Sequence, residues 1–504
     1  MRWLILIHRW LGIVGCLLFA AWFFSGVVMM YMPFPSLTNT ERLERLPRMN
    51  VLQVRVTAAE AWARTGQTGS PQRVRLNQPA GHPVYHFLPA KGGWISVAAD
   101  SGSLLHPVGI GAAMSSAAAH LPNPSARWLE TVELDQWSVS SSMHPYRPLH
   151  IIALGDEADT ELYVSARTGE VVRDTDRLER GWNWVGAVTH WIYPVQLRQH
   201  PKLWSDVVIW ISIPATVIAL TGLVLGVLRY RWTGQFKSGL KTPYRGWTRW
   251  HHWLGLLFAI TTVTWIFSGL MSMNPWNIFS SKSPDKVQSA TWRGGGLALD
   301  QPLRIFADVE RAAEKNLLAG LREIEWQAFA GETYLLLTGG WNQSVLLHAG
   351  SNAVSPQLPR AALETMAAKL MPAANAEFEW LEQYDLYYYA HHTAKALPVL
   401  RVKFNDDAAT WFHIDPARAT LIERYDRSNR VQRWIYYGLH DWDFRMLWDR
   451  RPLWDVLLIF FSAGGFALAV TSVVIALRRL GHKMTHRILL LPQRRRHTAT
   501  AQKE

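Results

Sequence analysis

The stretch that decides the fold is HRWLGIVGCLLFAAWFFSG, residues 8–26, because the chain repeats it 243 residues later as HHWLGLLFAITTVTWIFSG, residues 251–269. Without a gap, Trp10, Leu11, Gly12, Trp22, Phe24, Ser25 and Gly26 match Trp253, Leu254, Gly255, Trp265, Phe267, Ser268 and Gly269. Each copy sets a histidine at the mouth of a long apolar run. A second pair of motifs follows at the far end of each copy. WVGAVTH ends at His190 and WIYYGLH at His440, and Trp204 and Trp454 each stand fourteen residues further on.

Four runs, Trp10–Tyr31, Val207–Leu228, Trp253–Met273 and Val456–Leu477, contain no acidic or basic side chain. Each holds the roughly 20 residues a helix needs to cross a hydrocarbon core, so four spanning helices are expected. The first run is too long for a signal peptide's apolar region, and FAAWFFSGVV is a poor cleavage site, so an uncleaved helix is expected. The order reads as spanning helix 1–32, outer segment 33–204, spanning helix 205–230, basic linker 231–250, spanning helix 251–275, outer segment 276–452, spanning helix 453–479 and basic tail 480–504. Repeated membrane helices of this kind form pseudo-symmetric bundles with a site where the repeats meet.

The net charge of +13 sits beside helix ends. From Arg229 to Arg249 there are six Lys or Arg and no Asp or Glu, and the tail carries Arg478, Arg479, Lys483, Arg487 and Arg494 to Arg496. That pattern marks a cytoplasmic face against membrane lipid and argues against a nucleic-acid partner. Both termini are therefore expected inside, and the outer segments in the periplasm of a bacterial inner membrane. The one cysteine, Cys16, lies within the first apolar run and excludes an intrachain disulfide.

The outer segments read as small α+β units. VTAAEAWARTG has the pattern of a short helix. PQRVRLNQ, PVYHFLPAKGGWISVAADSGSLL, LHIIALGDEADTELYVSARTGEVV, GETYLLLTGGWNQSVLLHAG and LRVKFNDDAATWFHIDPARATLI alternate like strands around turns.

Together with YYYAHHTAKALPVLRV, RWIYYGLHDWDF and RRPLWDVLL, the repeated HxWLG…FSG helices and the hairpins resemble the PepSY-associated transmembrane family over about residues 1–480. The resemblance implies a membrane bundle of four transmembrane helices, built from a duplicated helix–outer domain–helix unit, with two periplasmic α+β PepSY-like domains. It also implies a role in iron uptake, since characterised relatives include haem-containing inner-membrane reductases of ferric siderophores.

Ionisable residues at membrane depth are functional candidates, and two neutral imidazoles from facing helices can grip a haem iron from both sides. His8 with His251, and His190 with His440, give two candidate bis-His sites, one toward each surface. No CxxCH occurs, so two haems would be held non-covalently, as b-type. The plainer role of a boundary histidine is snorkelling or capping, which does not require four matched positions. His252 stands beside His251, where the first copy has Arg9, and remains an alternative ligand. His391 and His392 form a further cluster, either a ligand or docking point for a ferric chelate or a surface loop packed by tyrosines. His82, His86, His106, His120, His348 and His413 read as ordinary domain residues.

Many of the 27 tryptophans flank helix ends, and interfacial belts account for most of these. SAGGFALAVTS in the fourth run suggests close helix packing, and Pro214 predicts a kink in the second. No P-loop, GxGxxG after a strand, HExxH or GxSxG occurs. A reductase of this kind would take electrons from a cytoplasmic donor, a reduced flavin or flavoprotein, and pass them to a ferric siderophore or other ferric chelate. The competing expectation is a membrane-anchored module that binds a periplasmic peptidase. A transporter is disfavoured by four helices without a charged residue in any span.

Overall fold

The computed structural model describes residues 1–105, 107–315, 320–340, 343–390 and 395–498, of which 482–498 are described as backbone alone. Four helices are long and apolar enough to cross a membrane: Arg2–Tyr31, Pro201–Arg229, Gly246–Ser272 and Leu453–Gly481. They start before the uncharged runs, so His8 and His251 lie inside their helices rather than ahead of them. The second helix continues through Pro214. The fourth extends to Thr498, so the basic tail carries on as helix. The first and third helices each pack against the second and fourth, closing a four-helix bundle.

The chain divides into two compact units. The helical unit is Met1–Pro33, Trp182–Ile278 and Gln432–Glu504. The segments bearing His190 and His440 thus belong with the helices, not with the outer segments 33–204 and 276–452 in which the sequence placed them. The reason is local packing: Trp22 Nε1 donates to His190 O at 3.0 Å and Asn183 Nδ2 to Pro33 O at 2.9 Å, tying this segment to the first helix.

The other unit, Phe34–Gly181 and Phe279–Val431, is built from fifteen strands among the described residues. The first copy supplies β1 (Arg73–Asn77), β2 (Val84–Leu88), β3 (Ile95–Ala98), β4 (Arg127–Val132), β5 (Leu149–Ala153), β6 (Glu161–Ser165) and β7 (Val171–Thr175). The second supplies β8 (Glu323–Phe329), β9 (Glu332–Thr338), β10 (Ser344–His348), β11 (Val354–Ser355), β12 (Ala376–Leu381), β13 (Val399–Phe404), β14 (Trp411–Asp415) and β15 (Thr420–Tyr425). The expected short helix forms at Ala58–Arg64, started by a capping box between Thr57 and Glu60.

The two copies do not make two separate domains. Strands β1 and β8 pair antiparallel, Arg75 opposite Glu325 and Asn77 opposite Glu323, giving one seven-stranded sheet in the order β11-β10-β9-β8-β1-β2-β3. Strands β4–β7 and β12–β15 form two four-stranded sheets. Val74, Leu76 and Tyr85 of the first copy share a core with Ile324, Leu335 and Leu337 of the second.

A charged knot closes the join. Arg75 meets Glu170 at 2.7 Å and Glu323 at 3.2 Å, Arg42 meets the same two carboxylates, and Asn77 donates to both. Burial alone would raise the Glu170 carboxyl, but Arg75, His86 and Arg42 outweigh it and hold it down to about 2. His86, between Asn77 and Ser96, is pushed down to about 4, mainly by burial.

Candidate functional site

The helical unit brings the four matched histidines together as two pairs. His8 and His251 have ring centroids 6.2 Å apart, and so do His190 and His440. Along the first helix, 17 residues separate His8 from Ser25, which contacts His190, and the same spacing separates His251 from Ser268, which contacts His440. At 1.5 Å per residue the two pairs stand about 25 Å apart, close to the thickness of a hydrocarbon core.

Each ring is held the same way. His8 Nδ1 lies 3.1 Å from Ile218 O and 3.3 Å from Thr221 Oγ1 on the second helix. His251 Nδ1 lies 3.1 Å from Thr471 Oγ1 and 3.2 Å from Ser472 Oγ on the fourth, with a further bond to the Leu468 backbone. His190 Nδ1 meets Ser25 Oγ at 3.0 Å and the Trp22 backbone, and His440 Nδ1 meets Ser268 Oγ at 3.0 Å and Trp265 O at 3.1 Å. The carbonyl partners of His8 and His440 only accept, and the hydroxyls beside His190 and His251 already donate to Trp22 O and Leu468 O, so Nδ1 carries the proton in all four rings. The Nε2 lone pair is left free, and none of the four Nε2 atoms has a hydrogen-bond partner among the described residues. Such a bond on the far nitrogen is the usual way a metal-binding histidine is oriented.

The repeat explains why these partners exist. From Trp128 and Phe378 in the edge strands to Gly222 and Ser472 in the spanning helices, residue n of the first copy corresponds to n + 250 of the second. Ile218 matches Leu468, Thr221 matches Thr471, and Ile192 and Trp442 share the same left-handed backbone at φ 51° and 50°. Trp204 Nε1 donates to Trp191 O at 3.0 Å and Trp454 Nε1 to Asp441 O at 2.9 Å. Each indole thus clamps the peptide just after its histidine, which is why both tryptophans stand fourteen residues on. The turn delivering His440 is a π-helical step at Trp434–Gly438, and that delivering His190 breaks at Gly186.

Glycine makes room for the rings. A Cβ on Gly26 would lie 3.4 Å from His190 Cε1, one on Gly269 3.6 Å from His440 Cε1, and one on Gly222 2.8 Å from His8 Cε1. The Ser-Gly of each FSG motif therefore has a function that the sequence reading did not assign: the serine bonds the imidazole and the glycine admits it. Thr221, Thr471 and Ser472 were also missed, although the recurrence of the threonine at a fixed spacing was there to be seen.

The remaining candidates separate cleanly. His252 is buried with Nδ1 2.8 Å from Thr242 Oγ1 and Nε2 2.9 Å from Gly226 O, so neither nitrogen is available for a metal. His391 and His392 lie outside the described residues. In the sheet unit His86, His150 and His413 are buried with hydrogen-bonded rings, and His144 is exposed. No group of three or more His, Cys, Asp or Glu converges among the described residues.

A family model described as the PepSY-associated TM region matches residues 5–479, a span that takes in all four paired histidines. Among curated proteins, none matches the chain.

Proposed function

The chain belongs to the PepSY-associated TM family, and from its facing histidine pairs we propose that it is a haem b electron conduit of the bacterial inner membrane. In this reading it takes electrons from a cytoplasmic donor, a reduced flavin or flavoprotein, and delivers them to a periplasmic ferric complex, an Fe(III)–siderophore being the expected substrate.

The 6.2 Å between centroids in both pairs carries the reading. An imidazole nitrogen lies about 1.1 Å from its ring centroid and a metal–imidazole bond is about 2.0–2.1 Å, so rings on opposite sides of one ion have centroids about 6.3 Å apart. The spacing suits an ion held between the two rings. Two imidazoles leave most of a metal's coordination unfilled, and among the described residues no third protein donor of the usual kinds converges on them. A porphyrin supplies the remaining four donors. Bound at these pairs, haem would supply one-electron redox chemistry near each face of the membrane.

The chain's own residues do the rest. Ser25, Ser268, Thr221, Thr471 and Ser472 fix the rings and keep the proton on Nδ1. The basic stretch Arg229–Arg249 faces an acidic or phosphorylated donor. Iron release follows from reduction because an oxygen chelator holds Fe(II) far less tightly than Fe(III).

The test is the absorption spectrum of the detergent-purified chain, oxidised and then dithionite-reduced, with haem counted per chain. Two haems with a sharp reduced α-band, one lost in His8→Ala and the other in His440→Ala, support the reading. A colourless protein expressed with haem available overturns it and favours the anchored peptidase-binding module.

A further inference from the structure

We propose that electrons cross between the two histidine pairs through the second repeat alone, along an aromatic ladder of Phe258, Phe461, Trp442 and Trp265. The inference rests on the haem reading above and adds a route and its residues.

The pairs stand about 25 Å apart along the helices, a long gap for one tunnelling step. Phe258 sits two turns above His251 on the same helix face. From it the ring centroids step 5.9 Å to Phe461, 4.9 Å to Trp442 and 5.7 Å to Trp265. Trp265 then joins the second site directly, because its carbonyl accepts from His440 Nδ1 at 3.1 Å.

The first repeat carries no matching ladder, although its Phe19 and Trp22 rings stand 6.3 Å apart. The residues matching Phe258, Phe461 and Trp442 are Gly15, Ile211 and Ile192, and only Trp22 matches Trp265. The fourth helix is cut away to admit the rings. A Cβ on Gly464 would fall 2.2 Å from Phe258, and one on Gly465 would fall 2.3 Å from Phe23, which packs on Trp265 at 5.9 Å. The matching positions on the second helix are Pro214 and Ala215. Packing alone needs no aromatic at these places, since glycine and two isoleucines occupy them in the first copy. Trp265 also carries a cost: its indole N–H is buried without a partner among the described residues, a penalty that phenylalanine or leucine would avoid. Trp22 suffers no such loss, since it bonds His190 O.

The step itself moves one electron. It leaves the reduced group held by His8 and His251 and arrives at the oxidised group held by His190 and His440, with no bond made or broken and no proton transferred. The rings lend orbitals and stay closed-shell.

The experiment uses the full chain loaded with haem in lipid vesicles, with reduced flavin supplied on the His8 side and the second optical phase of reduction followed by stopped flow. Trp442→Ile and Phe461→Ile install the first repeat's own residues. The backbone tolerates isoleucine at Trp442, since Ile192 occupies the same left-handed conformation. Haem content, oxidised spectrum and melting temperature are measured alongside as readouts independent of electron flow. The expected result is a severalfold slower second phase in each variant, with those three readouts and the first phase unchanged, and no slowing in the control Phe466→Leu, an aromatic of the fourth helix that packs on Phe24 off the ladder. Wild-type second-phase rates in both variants at full haem content overturn the ladder and leave the haem reading standing. Haem-free wild-type protein overturns the haem reading itself.

Discussion

Substituting Gly222→Ala should weaken cofactor binding at the His8 and His251 pair and leave the other pair intact. The added Cβ would lie 2.8 Å from His8 Cε1 and 3.4 Å from Nδ1. Carbon atoms in contact settle at about 3.5–4.0 Å, so the ring must retreat by about 0.7 Å or more. A metal–ligand distance tolerates about 0.2 Å, and a ring on a metal cannot swing away as a free side chain can. Overpacking of this kind costs about 1–3 kcal/mol, which corresponds to roughly 5- to 150-fold in affinity. The same change at Gly26 or Gly269 brings a Cβ to 3.4 or 3.6 Å of its histidine and should cost little. The assay is haem titration into each apoprotein, followed in the absorption spectrum. Weaker binding in Gly222→Ala than in Gly26→Ala or Gly269→Ala is the expected order. Full wild-type affinity in Gly222→Ala, or a larger loss at either of the other two, refutes the placement of His8 against the second helix.

His252→Ala should retain the wild-type haem count, because both ring nitrogens already bond Thr242 and Gly226; loss of one haem would make His252 the ligand in place of His251. Arg75→Met should destabilise the sheet unit by about 3–5 kcal/mol, since it leaves the two buried carboxylates of Glu170 and Glu323 with Arg42 as the remaining cation of the knot. A circular-dichroism melt of the full chain reads this, and an unshifted melting temperature would refute the role of the knot. The same unit should lose stability on acidification in two stages. Burial holds His86 at about 4, below its ordinary 6.5, and Arg75 and its neighbours hold Glu170 at about 2, below 4.5. In both cases the unfolded chain binds the proton more readily, so stability falls with pH, first between 6.5 and 4 and then between 4.5 and 2. His86→Gln should flatten the upper stage in melts taken across that range, and an unchanged slope there would refute the assignment.

The four spanning helices and the two histidine pairs were legible because each left a local mark twice: an uncharged run of sufficient length, and a histidine at a matched position in each copy. The partners of those histidines were harder to read. Thr221 and Thr471 look like ordinary small polar residues of a membrane helix until the second and fourth helices are set against the first and third. His252 could not be separated from His251, since the carbonyl of Gly226 that occupies it arrives from another helix. The division into two outer segments failed for a related reason. Edge strands carry no label of the partner they will find, and nothing in RVRLN or EIEWQAF announces that β1 and β8 will pair across 248 residues of chain.

The duplication also constrains what kind of device the bundle can be. Each repeat contributes two spanning helices, so both copies run the same way through the membrane, and the axis relating them lies along its normal. Each histidine pair takes one ring from each copy and therefore lies on that axis, while the two pairs are not related to each other by it. Nothing in the repeat makes them equivalent: one is braced by hydroxyls of the second and fourth helices, while the other, carried on turns outside the spans, is braced by serines of the first and third. Under the haem reading, a duplicated unit thus yields two similar sites free to differ in potential, as directional transfer across a membrane would use. The departures from the repeat, Phe258 for Gly15, Phe461 for Ile211 and Trp442 for Ile192, fall in the space between the pairs, where symmetry serves neither ligation nor direction.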